Sequence, residues 1–309
     1  MIQIIPTKHL AGVKLQGDYQ DLNALYDALM RWLSYYNEYT DILSDFSYEY
    51  LLALNYDIRH AFQGTREILA VGNNLENYDL ISASTTPDVT LTTEQKKAVR
   101  NLKKQFTRSN VYYSVDIAVP LIFHYLAEFQ HILAFGYSAS DFRNTSGRYS
   151  PLAMGSDLAQ IHLLAAAVWN YLSQLLGEEE ASVLYDYETC RNYRMPNSPL
   201  FVDAILQYFL HTIGSLNTNA AKDLIIFAAY MMFNPTDTTR QTRDMRPSHN
   251  QFQRVKKSLR EKLGAPLPTI NRFGKQIQKE FGTQTAINND DYYTFLDTYY
   301  GTVDWDAEW

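Results

Sequence analysis

The chain has a single cysteine, Cys190, so no disulfide can close within it and nothing in its composition calls for an oxidising compartment. It also has no apolar run near the roughly 18 to 20 residues that span a bilayer; the longest, Leu224 to Phe233, is about half that. The opening MIQIIPTKHLAG lacks a basic start followed by an apolar stretch, so neither secretion nor membrane insertion is expected and the cytoplasm is the expected location. Absent too are a glycine-rich phosphate loop, a nucleophile elbow, a His-Glu-x-x-His pair and any paired cysteines. Those absences remove the reaction classes that local spacing alone announces. No repeat and no low-complexity tract interrupts the 309 residues, of which 46% are hydrophobic, enough to bury a core without staples.

What the sequence does have is charge sorted into blocks. The net charge is −7, yet residues 96–108 carry six cations and no acid, and residues 240–279 carry 11 cations against 2 acids. Residues 280–309 then carry seven acids and no cation. Short basic elements in an acidic body make natural contacts for anions, and the acidic stretch is a ready partner for them in cis or on a neighbouring subunit. Tyrosine outnumbers the other aromatics, 24 against 15 Phe and 4 Trp, and its apolar ring and polar tip suit the margin of a core.

Periodicity predicts an α+β chain, predominantly α. MIQIIPT and GVKLQG read as paired strands around a turn at KHLAG. Asp18 caps a helix carrying Leu22, Leu25, Tyr26, Leu29, Trp32 and Leu33, and a second helix runs from Ser44 or Asp45 until Gly64 stops it. Residues 66–72 and 111–117 read as strands, 73–91 as a long polar loop, and Thr92 with Gln95 as the capping box of a basic helix. Pro120 opens a helix to Gly136. After a polar connection at 137–155 the pattern is helical: 157–176, 178–193, 201–213, 220–233, then an exposed linker at 234–247 and basic helices at 249–263 and 270–281. A short helix at 290–300 precedes TVDWDAEW. The composition shift divides the chain into an α+β region at 1–150 and an all-α region at 151–309, which can still share one core.

The segment YDIRHAFQGTREI, Tyr56 to Ile68, with the opening PTKHLAGVKLQGDYQDLNALYDAL, resembles a family of uncharacterised bacterial proteins. The Tyr-Asp, Arg-His-Ala, Gln-Gly and Arg-Glu pairs carry the likeness, over about the first 130 residues. It implies no activity, substrate or cofactor.

Three constellations are candidates for chemistry. Arg59, Gln63 and Arg66 lie three or four apart, so a continuing helix would align them as a fork for phosphate or carboxylate; the bland alternative is that the two arginines pair with acids of the first helix or with loop carbonyls. His124, Glu128 and His131 share one helix face, and Glu128-x-x-His131 has the form found in carboxylate-bridged metal bundles. Asp57-x-x-His60 is the nearest second copy, with His162 and His211 as further imidazoles, while the simpler reading is a hydrogen-bonded core histidine. Arg243 and His249 match the Arg-x(4 to 6)-His spacing of HEPN-type ribonucleases, in which the arginine steadies phosphate and the histidine moves the proton, although Pro247 is expected to interrupt the helix this needs. Cys190 beside Arg191 and Arg194 reads as structural.

The cations form the remaining group. Lys96, Arg100 and Lys103 lie on the first basic helix, and Arg254, Lys256, Lys257 and Arg260 on the second, whose apolar stripe is taken up in packing. The expectation is a binding or assembly protein that catalyses nothing, engaging nucleic acid or another anionic partner, protein included, with no cofactor and with oligomerisation through the tail open to it. The competing reading is a phosphodiesterase, metal-dependent at the His124 face or RNase-like at Arg243 and His249; a divalent metal is its cofactor.

Overall fold

The computed structural model describes residues 2–39, 45–72, 92–94, 97, 109–138, 151–189, 199–233, 246–265, 267–268, 272, 275–276, 279–280 and 289–303. Four strands, β1 (Gln3–Pro6), β2 (Gly12–Gly17), β3 (Glu67–Gly72) and β4 (Ser109–Ala118), form one antiparallel sheet in the order β1-β2-β4-β3. β4 thus enters between strands that precede it in sequence. The chain is α+β and mostly α.

Valine, isoleucine and leucine alternate on β2 and β4, and the register faces Val13 with Ile117 and Leu15 with Val115, one buried row beneath the helices. Gly12 is required for close approach: a Cβ there would lie 2.6 Å from the Ile117 carbonyl oxygen, which belongs to the backbone of a paired strand. Gly12→Ala is expected to destabilise by about 1–3 kcal/mol in chemical denaturation. The predicted turn at KHLAG takes the form of a 3-10 turn at Lys8–Leu10, with His9 and Leu10 at φ of 60° and 62°. The Thr7 hydroxyl accepts the Gly12 N–H at 2.7 Å and closes it.

Helix α1 (Tyr19–Tyr39) starts where expected: the Asp18 carboxylate accepts the Asp21 N–H at 2.9 Å. Leu22, Leu25, Leu29, Trp32 and Leu33 fall on its buried side. α2 (Asp45–His60) runs into a π-helical turn, Ala61–Thr65, ended by Gly64 at φ 77°. The remaining helices are α3 (Val119–Ser138), α4 (Pro151–Leu176), α5 (Glu178–Thr189), α6 (Pro199–Ile213), α7 (Thr218–Phe233), α8 (Arg246–Leu263) and α9 (Asn289–Tyr300). Arg272, Lys275, Gln276, Lys279 and Glu280 are also helical. α4 and α8 begin earlier than their apolar patterns imply, because Pro151 and Pro247 occupy first turns, where the missing N–H has no helical acceptor to lose.

α3 sits at the centre, against the sheet on one side and α4, α6 and α7 on the others. A continuous apolar cluster runs from Ile2 to Leu296 and takes side chains from both sides of residue 150, among them Trp32, Phe123, Ile161, Phe209 and Phe233. Across that division Arg31 of α1 binds Asp157 of α4 through two hydrogen bonds, 2.8 and 2.6 Å. Among the described residues no helix is long and apolar enough to cross a membrane. The predicted loop 73–91, the cationic segment with Lys96, Arg100 and Lys103, residues 234–245 with Arg243, Cys190 with Arg191 and Arg194, and the tail from 304 lie outside the described residues.

Candidate functional site

α8 presents the best-defined surface. Its inner side is fixed on α7: Val255 and Leu259 are buried, Phe252 stacks on Phe227 with centroids 6.1 Å apart, and the Tyr230 hydroxyl donates to the Gln251 side-chain oxygen at 2.8 Å. Gly264 at φ 61° ends the helix, its N–H donating to the Arg260 carbonyl. A helix held this way turns its polar side out in one orientation.

The structure divides the candidate cations on that side. Arg254 reaches Glu180 of α5 at 3.5 Å, and Lys262, with Ser258, binds Asp223 of α7 at 2.9 and 2.6 Å. Lys256 lies over the Phe252 ring, 4.9 Å from its centroid. Lys257 and Arg260, one turn apart, have no carboxylate partner among the described residues, and both are exposed. The Arg254 side chain keeps 67% of its surface open and its contact with Glu180 is long, so that pair contributes roughly 0–1 kcal/mol and yields readily to a competing anion. Three cations therefore face out from the middle of α8. His249 falls in the first turn of the helix, and Pro247 starts the helix instead of interrupting it.

The fork expected at Arg59, Gln63 and Arg66 does not form. The π turn and the positive φ of Gly64 break the 3.6-residue period between Gln63 and Arg66. Arg66 binds Asp57 of α2 at 2.6 Å, an acid of the second helix and not of the first, while the Arg59 guanidinium lies over the Tyr56 ring at 4.5 Å. Arg66 thereby ties the helix-to-strand exit back to α2, while Arg59 stays on its own helix.

The His124 face is buried, and its parts bind inward. His131 Nδ1 lies 3.9 Å from Glu128 Oε2, Ser47 donates to Glu128 at 3.1 Å, and the His124 ring meets Tyr50 edge-on at 5.0 Å. The groups needed for a second half are engaged elsewhere: Asp57 with Arg66, and His60 with Thr65, whose hydroxyl lies 3.3 Å from Nδ1. His162 and His211 are exposed on other helices. Among the described residues no three His, Cys, Asp or Glu side chains gather where a metal could be held.

One group escaped the sequence reading. Asp203, inside the apolar run PLFVDAILQYFL of α6, accepts from the Tyr50 hydroxyl at 2.5 Å. Burial, with the Asp203 charge second, raises the Tyr50 hydroxyl far above the usual tyrosine range, and burial also raises the Asp203 carboxyl. A lone acid in an apolar helix is the available signal; its partner comes from α2, which no local pattern reveals.

Residues 2–90 match the model of a family described as a domain of unknown function (DUF6904). The matched segment takes in β1, β2, α1, α2 and β3 and stops before β4, so the resemblance carried by Tyr56 to Ile68 and the opening strands belongs to an uncharacterised family recognised at the N-terminus. No curated protein and no solved structure matches the chain.

Proposed function

We propose that this is a binding protein, acting in the cytoplasm and catalysing nothing, that holds the phosphate backbone of a nucleic acid along the outer side of α8. The reading rests on Lys257 and Arg260, two exposed cations one turn apart on a helix whose orientation is fixed by buried contacts. Arg254 adds a third charge at low cost, and exposed Arg272, Lys275 and Lys279 extend the positive character along the chain toward α9. Phosphate contacts of this kind give affinity without sequence preference. The fluorescence anisotropy of a labelled random single-stranded oligonucleotide tests it. At low salt Lys257→Glu with Arg260→Glu is expected to weaken binding at least about tenfold. Equal affinity of the double variant and the parent protein would remove α8 from the account.

A further inference from the structure

β3 is an edge strand without the features that keep such edges apart. Among the described residues it pairs with β4 alone, and nothing hydrogen-bonds its outer side. Natural sheets blunt an edge with proline, a lysine, a bulge or a covering element, because a row of free N–H and C=O groups invites another strand. The opposite edge is treated so: β1 is four residues long, ends in Pro6 and lies against α4. β3 carries neither proline nor cation in EILAVG, and it meets β4 in six consecutive pairs without a bulge.

The exposure of its side chains agrees. Ile68 and Ala70 stand on the helix side of the sheet opposite Tyr113 and Val111, but the helices that bury Val115 and Ile117 stop short of them. Ile68 keeps 55% of its surface and Val111 52%, and a Cβ on Gly72 would meet nothing within 4 Å. The charges at the start of the strand are already used: Arg66 binds Asp57, and Glu67 binds Lys14 and Ser114. What remains is a neutral, apolar edge, which selects an uncharged strand. Among the described strands β2 and β4 are interior and β1 is stopped by proline, so the strand that fits is β3 of a second copy.

We infer that two copies of this chain join edge to edge through β3, antiparallel about a two-fold axis perpendicular to the sheet, so that the two four-stranded sheets become one. With the axis on the apolar run no charge stands opposite a like charge, and both helix layers lie on the same side. Ile68 and Ala70 of the two copies then form one apolar strip.

Sedimentation equilibrium of the full chain over a concentration series is expected to show a monomer–dimer equilibrium. Ile68→Lys puts an ammonium group on each side of the axis and is expected to weaken the dimer at least about tenfold, with the thermal transition of the monomer unchanged because the position is exposed. Backbone hydrogen exchange locates the contact without a variant: protection of residues 67–72 is expected to increase with protein concentration, in step with the mass, while that of α7 stays constant. A monomer at every concentration would overturn the inference and leave the edge to a strand of another protein. A dimer that Ile68→Lys leaves equally tight, or protection of 67–72 that does not follow concentration, would overturn it as well.

Discussion

A fragment of residues 2–90, the segment that matches the family model, is expected to show no cooperative thermal transition. Its strands cannot complete a sheet: β3 is paired to β4 over Glu67–Gly72, and β4 also supplies the partner of β2 along Gly12–Gly17. Without residues 109–118 the inner edge of β2 is bare and β3 has nothing beside it. α1 meanwhile loses the helix that covers it, α4, whose Ile161, Leu164 and Val168 belong to the same core as Leu25, Leu29 and Trp32. The loss is the whole of an ordinary domain's stability, about 5–15 kcal/mol. Circular dichroism through a thermal ramp checks it; a sharp transition with native-like helix content would mean that the matched segment carries its own core.

The second large effect is expected at the junction of α1 and α4. Asp157 retains only 2% of its side-chain surface and is gripped by Arg31 through two nitrogens. Removing one member of such a pair leaves a charge in a poor dielectric, which commonly costs about 3–5 kcal/mol. The Arg31 side chain is 47% exposed, so water reaches its side of the pair and the lower end, about 3 kcal/mol, is expected for Arg31→Met in urea unfolding. Arg31→Met with Asp157→Leu is expected to recover most of that, since no buried charge then remains. If the double variant is as unstable as the single, the loss comes from packing of the arginine stem and not from breaking the ion pair.

Local chemistry made much of the fold legible. Asp18 announces α1 because a carboxylate beside bare N–H groups needs no tertiary help, and the alternation of GVKLQG fixes β2 to the residue. Pro247 does not interrupt the helix because it falls in its first turn, and the apolar pattern, which begins at Phe252, does not show that residue 246 is already helical. The fork at Arg59 failed for a related reason, since counting by 3.6 assumes a helix without a π turn. The contact of Asp203 with Tyr50 is beyond reach of the sequence, since residues 50 and 203 meet through topology and not through spacing. On α8 the sequence indicated which side faces out. Which cations are engaged depended on Glu180 and Asp223, two acids on other helices.

The most direct test of the α8 reading is the slope of log Kd against log salt for a random single-stranded oligonucleotide. The account predicts that affinity falls steeply with salt, and that Lys257→Glu with Arg260→Glu lowers the slope by about 1.4, at about 0.7 for each lost phosphate contact. A slope unchanged by the double substitution, or no binding even at the lowest salt, would contradict it.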